Sequence, residues 1–169
     1  MQNINFFFYN SLFKKIIKVA SLEIKKNPER IIFIGHKPRF PSVNLGYVHY
    51  GKKIAVKEGI GFFEFKDLKY RPDEKTAKKF FASGEHAWNL GYFVTSPRFI
   101  IKEFKKLAPE IFKLTEKIVL SHGKKDYDRV LKKNYSLIKS VSFDNAILEK
   151  LNKKDAMVIV EDIGWSDVG

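Results

Sequence analysis

The sequence predicts an α/β fold, a mostly parallel mixed sheet with flanking helices, from three observations. Apolar residues recur every three to four positions between Ser11 and Lys25, as an amphipathic helix requires. The uninterrupted apolar run Ile31–Ile34 then ends at Gly35, which is typical of a strand buried on both faces. The chain has 169 residues, of which 44% are hydrophobic, so it can bury the core of one domain.

Two further strand segments are expected in the next part of the chain. Residue types alternate over Gly46–Tyr50, which predicts a strand that we expect to end at Gly51. Ile54–Phe65 is predicted to be additional strand, with a bend or bulge at Gly59 and Gly61 because glycine weakens a regular strand.

The later elements are predicted from helix start and stop signals. Pro72 and the acidic residues after it begin a helix that should stop at Gly84. Serine or proline begins three of the four helices predicted after it. The remaining predicted elements are a strand over Trp88–Val94, helices from Ser96-Pro97 and from Pro109, a helix over Lys124–Leu137, a helix over Phe143–Leu151 capped by Ser142, and a strand over Ala156–Val160. Without a linker or repeat, residues 1–169 are predicted to be one compact piece with no internal boundary.

The chain is strongly basic. Lysine and arginine outnumber aspartate and glutamate 32 to 19, which gives a formal net charge of +13 and favours an anionic partner such as nucleic acid, nucleotide or phosphosugar. The lysines are scattered over several predicted helices and make no single stripe, so a solvated surface explains them equally well. No nucleic-acid recognition motif accompanies the charge.

Composition also limits the chemistry. Cysteine is absent, which excludes disulfides and thiol catalysis, and the four histidines show no metal-ligand spacing in the sequence. We therefore expect any metal to be held by oxygen. We identify no signal peptide, and no apolar run reaches the roughly 20 residues that cross a bilayer, so a cytoplasmic protein is expected.

Three segments contain polar, aromatic or charged residues that could contact a ligand. In Gly84–Val94, the Asn89 amide can donate to and accept from a sugar hydroxyl, Trp88 can form a wall, and Gly91 lets the backbone approach a ligand. Taken alone, Trp88 would equally be a core residue and Asn89 a turn residue. Tyr70-Arg71-Pro72 alone is a turn before a helix, and Asp167 alone is a surface acid.

These segments, with two others, resemble the sugar-1-phosphate nucleotidyltransferase family, in particular its mannose-1-phosphate guanylyltransferase branch. The segment Gly35–Val48 shares two prolines and a Gly-Tyr pair with the family, and Trp-Asn-x-Gly-x-Phe is shared at Trp88–Phe93. Ser142–Lys150 is similar to a family segment, and Gly164–Gly169 matches the family's Gly-Trp-Ser-Asp-Val-Gly throughout. The substrate-binding residues that the resemblance implies are Gly46, Tyr47, Tyr70, Arg71, Trp88, Asn89 and Gly91.

The resemblance also implies an activity and a cofactor. The family transfers a nucleotidyl group, here from GTP to mannose 1-phosphate, which would place the chain in GDP-mannose biosynthesis. Asp167 would be one of two carboxylates that bind the catalytic Mg²⁺, a hard cation that prefers oxygen ligands. Arg71 replaces a lysine that faces the sugar phosphate, and its planar fork can hold phosphate in the same way. Arg71 and Asp167 are thus the implied catalytic residues.

The resemblance covers only the later half of the family's catalytic domain. The glycine-rich loop that cradles the triphosphate does not occur in these 169 residues. We therefore expect an incomplete Rossmann-like nucleotidyltransferase fold, that of the nucleotide-diphospho-sugar transferases. We also expect a C-terminal fragment that is inactive without a complementing polypeptide. The alternative is a non-catalytic binding or assembly module, which Tyr70 favours because the family has a sugar-contacting glutamate there.

Overall fold

The computed structural model describes the backbone of residues 2–166 and the side chains of residues 10–166. The described chain falls into two compact units. The first, which we call the sheet unit, runs up to Phe99 and resumes at Asn152; the second, the helical unit, is Ile100–Leu151. This division differs from the single piece that the sequence predicted. Neither border carries a change in composition, and the first border lies inside a helix, so the sequence gives no linker signal there.

Five strands form the sheet in the described part of the sheet unit. Their hydrogen-bonded order is β1-β4-β2-β3-β5, and β5 pairs back with β1, so the sheet closes on itself. Two helices belong to the same unit. The elements are α1 (Gln2–Lys26), β1 (Ile31–His36), β2 (Gly46–Lys57), β3 (Ile60–Lys69), α2 (Glu74–Ser83), β4 (His86–Thr95) and β5 (Ala156–Glu161).

The α/β class and the mixed sheet with flanking helices are confirmed, but the expected strand direction is wrong. Within the described residues β1 and β5 are the one parallel pair, and the other four pairings are antiparallel. The pairing of β2 with β3 follows from a two-residue turn, Glu58-Gly59, whose φ angles of 49° and 79° suit a tight hairpin. The predicted bend at Gly59 is therefore a reversal, and Gly51 lies inside β2 instead of ending it.

The core of the sheet unit lies between α1 and the sheet. Ile16 and Ala20 are one turn apart on α1 and are fully buried, as is every residue of β1. Burying an isoleucine side chain contributes about 1.5–3 kcal/mol, so this apolar face holds the helix on the sheet. The helix ends with Lys25 and Lys26, whose charges favour a helix C-terminus. The predicted helix Ser11–Lys25 is confirmed and extends further toward the N-terminus.

Helix α2 has well-defined ends that the sequence predicted. The Asp73 carboxylate accepts a hydrogen bond of 2.8 Å from the Thr76 N–H, which caps the helix and lowers the pKa of Asp73. Gly84 ends the helix with φ 68°, a left-handed conformation that glycine adopts without cost. These caps fix the connection between β3 and β4.

The helical unit contains short helices and a 3₁₀ turn. Ser142 caps the helix that begins at Phe143, as predicted, because its hydroxyl oxygen accepts a hydrogen bond of 3.1 Å from the Asn145 N–H. The predicted helix Phe143–Leu151 is divided into a four-residue helix and the 3₁₀ turn. Helix α3 (Pro97–Leu107) begins in the sheet unit and continues in the helical unit from Ile100. The other elements are α4 (Pro109–Ser121), α5 (Tyr127–Tyr135), α6 (Phe143–Ala146) and the 3₁₀ turn Leu148–Lys150. Among the described residues, no helix combines the length and apolarity needed to cross a bilayer.

Candidate sugar-phosphate site

Asn89 lies in the middle strand of three. It is opposite Gly35 of β1 and Gly46 of β2, and only 8% of it is exposed. Its side-chain oxygen accepts a hydrogen bond of 3.2 Å from the Gly91 N–H. The amide group is therefore held in one orientation by its own strand, as a ligand-binding amide needs to be.

Gly46 keeps the space beside Asn89 free of protein atoms. A Cβ atom added at Gly46 would lie 3.3 Å from the Asn89 Cβ and 3.5 Å from its amide nitrogen. A side chain at this position would therefore crowd the amide. Gly91 differs, because its φ of 74° suits glycine while an added Cβ would meet no protein atom within 4 Å. Gly46 is therefore packed closely against Asn89, and the binding of substrate by the two glycines stays a prediction.

Trp88 and Tyr47 pack on the other face of the sheet from Asn89, because successive side chains of a strand alternate between its faces. Both are fully buried, and together with Ala77 they form a small core cluster. The Tyr47 hydroxyl donates to the Ser42 carbonyl oxygen at 3.0 Å, and the Trp88 ring packs edge-on against Phe40 with centroids 4.8 Å apart. The core alternative that the sequence left open for Trp88 therefore describes it, and Tyr47 is a core residue too. The predicted contact of both side chains with substrate stays a prediction.

Arg71 and Tyr70 follow β3, near the start of β2. The Arg71 Nε–H donates to the Asn44 carbonyl oxygen at 3.2 Å, and its guanidinium lies 5.3 Å from the centre of the Tyr70 ring. Arg71 is exposed and has φ 42°, which is uncommon for a residue with a Cβ atom. The turn thus places a cation beside the loop that leads into Gly46.

The parallel pair β1 and β5 ends close to this region. Ligands of α/β proteins commonly bind outside the carboxyl ends of parallel strands. After β1, Arg39 donates from Nη2 to the Trp165 carbonyl oxygen at 2.6 Å, which joins the loops that follow the two strands. The Trp165 ring lies edge-on to Trp88 with centroids 6.3 Å apart. Trp165 is therefore anchored by its contacts with Arg39, in the loop after β1, and with Trp88 of β4.

His36 is a buried polar residue that the sequence reasoning did not single out. It is 0% exposed at the end of β1, its Nδ1–H donates to the Lys37 carbonyl oxygen at 2.7 Å, and its Nε2 lies 3.2 Å from an Asp162 carboxylate oxygen. A histidine inside the motif Gly35–Val48 was the available signal. Arg39 was missed because its role depends on a loop 126 residues away.

The structure brings together part of the predicted site. Gly46, Asn89 and Gly91 are neighbours, and Arg71 is tied to the loop before Gly46. Asp167, the predicted magnesium ligand and catalytic residue, lies outside the described residues.

Comparisons with known proteins point to one family. A family model described as "Nucleotidyl transferase" matches residues 7–169. The chain is 30% identical over 147 residues to mannose-1-phosphate guanylyltransferase 2 of Escherichia coli O157:H7, covering 85% of this chain and 30% of that protein. It is 34% identical over 142 residues to a mannose-1-phosphate guanylyltransferase of Salmonella typhimurium, covering 83% of this chain and 28% of that protein. The chain thus spans about 30% of the length of these curated relatives.

Solved structures agree on the fold. A structure described as mannose-1-phosphate geranyltransferase from Thermus thermophilus matches with a TM-score of 0.65 at 20% identity, covering 92% of this chain and 42% of that chain. One described as mannose-6-phosphate isomerase from Helicobacter pylori matches with a TM-score of 0.66 at 21% identity, covering 94% and 57%. At such identities the likeness concerns the fold alone. The family match over residues 7–169 and the matching fold together assign this chain to the nucleotidyl transferase family.

Proposed function

We propose that this chain is the sugar-phosphate-binding part of an enzyme that makes GDP-mannose and pyrophosphate from GTP and mannose 1-phosphate. The observation that carries the proposal is Asn89, a nearly buried amide that the Gly91 N–H holds in place directly opposite Gly46. Relatives about 30% identical are named as mannose-1-phosphate guanylyltransferases, which supports the choice of sugar and nucleotide.

In this proposal each residue has a defined task. Asn89 orients the mannose hydroxyls through its amide, and the missing side chain at Gly46 leaves room for the sugar ring. Arg71 holds the attacking phosphate by charge and by its planar donors. Such an enzyme acts by positioning two substrates more than by covalent help, so small displacements of these groups should reduce the rate strongly.

Asp167 would hold Mg²⁺ with one carboxylate. The donor chemistry fits, because Mg²⁺ takes one or two carboxylates from the protein and completes its shell with water and phosphate oxygens. When bound, the ion neutralises charge on the phosphates. Asp167 follows the anchored Trp165 by two positions in the sequence.

Binding of mannose 1-phosphate to the 169-residue chain tests the sugar-phosphate site. Calorimetry should detect binding, and Asn89→Ala should weaken it by roughly tenfold, since a lost hydrogen bond of about 1.4 kcal/mol has that effect. Arg71→Ala should weaken binding of mannose 1-phosphate but not of mannose. Thr76→Ser, on α2 away from the site, is the control. Equal affinity of the wild type and both variants would refute the site.

A pyrophosphate-release assay tests the transfer itself. We expect the chain alone, with GTP, mannose 1-phosphate and Mg²⁺, to give no turnover, and to turn over only with a polypeptide that supplies the nucleotide-binding loop. Turnover by the isolated chain would contradict this expectation. In the complemented system Asp167→Ala should abolish the Mg²⁺-dependent activity.

The alternative function is a non-catalytic binding or assembly module. Tyr70 favours it, because this side chain packs on Arg71 and replaces a carboxylate that could accept from sugar hydroxyls. The same variant separates the two functions. A pure interaction module should keep its partner when Asp167 is changed to alanine, whereas the proposed enzyme should lose activity.

A further inference from the structure

Three strands place two histidines and an aspartate side by side, outside the sugar-phosphate site. His49 of β2 is directly opposite Asp67 of β3 and directly opposite His86 of β4. Directly opposite residues of antiparallel strands have Cβ atoms about 4.5–5.5 Å apart on one face of the sheet. The three side chains therefore form a row, although 37 residues separate the first from the last in the sequence.

The potential ligand atoms of this row are close together. His49 Nδ1 is 3.2 Å from an Asp67 carboxylate oxygen, and the rings of His49 and His86 stack with centroids 4.5 Å apart. One nitrogen from each histidine and one Asp67 oxygen all lie within 4.8 Å of one another. Glu85 adds a second carboxylate, with an oxygen 3.7 Å from His49 Nε2.

Neighbouring residues fix the orientation of His86. The Ser83 hydroxyl donates to the Phe80 carbonyl oxygen at 2.8 Å, and its oxygen lies 2.9 Å from His86 Nδ1. Phe80 stacks on the other face of the His86 ring at 4.0 Å and prevents it from turning. A hydrogen-bonded second nitrogen is the usual support of a metal-binding histidine.

His86 is nearly buried, with 8% of it exposed. The two carboxylates are more exposed, with 57% of the Asp67 side chain and 68% of the Glu85 side chain open to solvent. Both can therefore rotate toward an ion, and water can complete its shell.

We propose that His49, Asp67 and His86, with Glu85 in reach, form a binding site for a divalent transition-metal ion of the Zn²⁺ class. Two imidazole nitrogens and a carboxylate suit Zn²⁺ and its neighbours in the periodic table, whereas Mg²⁺ prefers an all-oxygen shell. This site uses none of the predicted sugar-phosphate residues and does not depend on the proposed transferase function. The proposal departs from the expectation that any metal is held by oxygen, which rested on the spacing of histidines along the sequence.

Titration of the EDTA-treated and dialysed 169-residue chain with Zn²⁺ tests the proposal. Calorimetry should reveal one saturable site that excess Mg²⁺ does not displace. His49→Gln and His86→Gln should each weaken Zn²⁺ binding beyond the roughly 10- to 100-fold cost of losing an outer-shell partner. Asp67→Asn tests the same site with an exposed residue whose change should not affect folding. His122→Ala, which removes an exposed histidine of the helical unit, is the matched control and should bind as the wild type does.

A spectroscopic readout distinguishes this site from weak surface binding. Co²⁺ in place of Zn²⁺ should give visible absorption bands in the wild type and in His122→Ala, and these bands should be lost in His49→Gln and Asp67→Asn. Circular dichroism checks that each variant is folded. The proposal is overturned if Zn²⁺ shows no saturable binding, if Mg²⁺ competes for it, or if Asp67→Asn and His49→Gln bind as the wild type does.

Discussion

Gly46 and Asn89 are the pair of residues whose contact most directly defines the proposed sugar-phosphate site. The two residues are opposite each other on β2 and β4, and the absence of a side chain at Gly46 determines the space beside the amide. Neither strand alone specifies this space, since the residues are 43 positions apart in the sequence. The site therefore depends on the register between two strands.

Gly46→Ala should weaken binding of mannose 1-phosphate by roughly two- to twelvefold, because a displaced hydrogen bond costs about 0.5–1.5 kcal/mol. The new methyl group would lie 3.3 Å from the Asn89 Cβ and would have to push the amide aside. Gly51→Ala on the same strand is the control, since its methyl group would meet only the ends of the flexible side chains of Lys66 and Glu64, which can move aside. Calorimetry measures both variants, and equal affinities would contradict the role of Gly46.

The ion pair between Glu23 of α1 and Lys57 of β2 should make the stability of the chain depend on pH. Glu23 is 6% exposed and accepts a 2.9 Å hydrogen bond from Asn27. The hydrogen bond from Lys57 outweighs burial and lowers the pKa of Glu23 below its ordinary 4.5. The unfolded chain therefore binds more protons in the acid range, so the stabilisation is complete above about pH 4.5 and is lost as the pH falls through the folded pKa.

Glu23→Gln should lower the free energy of unfolding at pH 7 by roughly 1–3 kcal/mol, and this difference from the wild type should shrink below pH 4. Urea unfolding across pH 3–7 provides the measurement. Glu74→Gln removes an exposed partner of Lys78 and should have little effect at any pH. A wild-type advantage that does not change with pH would argue against the ion pair.

At the scale of elements, the hairpin of β2 and β3 determines most of the sheet. It reverses the chain at Glu58-Gly59, after which β2 pairs with β4 and β3 pairs with β5. Glu58 carries a left-handed conformation that asparagine tolerates better. This turn is therefore a weak point of an element on which the whole sheet depends.

Glu58→Asn should raise the stability of the chain by a few tenths of a kcal/mol up to about 1 kcal/mol, because asparagine followed by glycine is the preferred pair in such turns. Gly59→Ala should lower it by about 1–2 kcal/mol, since φ is 79° there. The ion pair lost with Glu58 is an exposed one to Lys18 and contributes little. Thermal unfolding of both variants is the check, and changes of the same sign would contradict the turn assignment.

Elements with strong local signals were predictable, whereas their pairing was not. The periodic apolar face of α1, the apolar run of β1 and the caps Asp73 and Gly84 all lie within short stretches of sequence. The antiparallel pairing depends on a turn formed by Glu58, which has no turn preference of its own. Likewise, Asn89 was identified from its motif, but the row of His49 and His86 exists only after three strands are paired.

At the scale of the whole molecule, the division into two units suggests separate cooperative regions. The sheet unit is discontinuous in sequence and joins β1 to β5 by a parallel pairing, while the helical unit is a continuous insertion. Local unfolding commonly follows such compact units. The basic charge of +13 belongs to the full sequence and favours the anionic substrate without selecting it.

Ile32→Ala should separate the two units in hydrogen exchange. This residue is fully buried in β1 beside Met157 of β5, so its truncation should cost about 2–5 kcal/mol within the sheet unit. Amides of β1 and β5 should then exchange faster, while those of α4 and α5 keep their wild-type rates. Val119→Ala, at a position that is 70% exposed in α4, should leave both sets of amides unchanged. An equal loss of protection in α4 and β1 after Ile32→Ala would mean that the chain unfolds as one cooperative body, because a truncation confined to one unit could not otherwise reach the other.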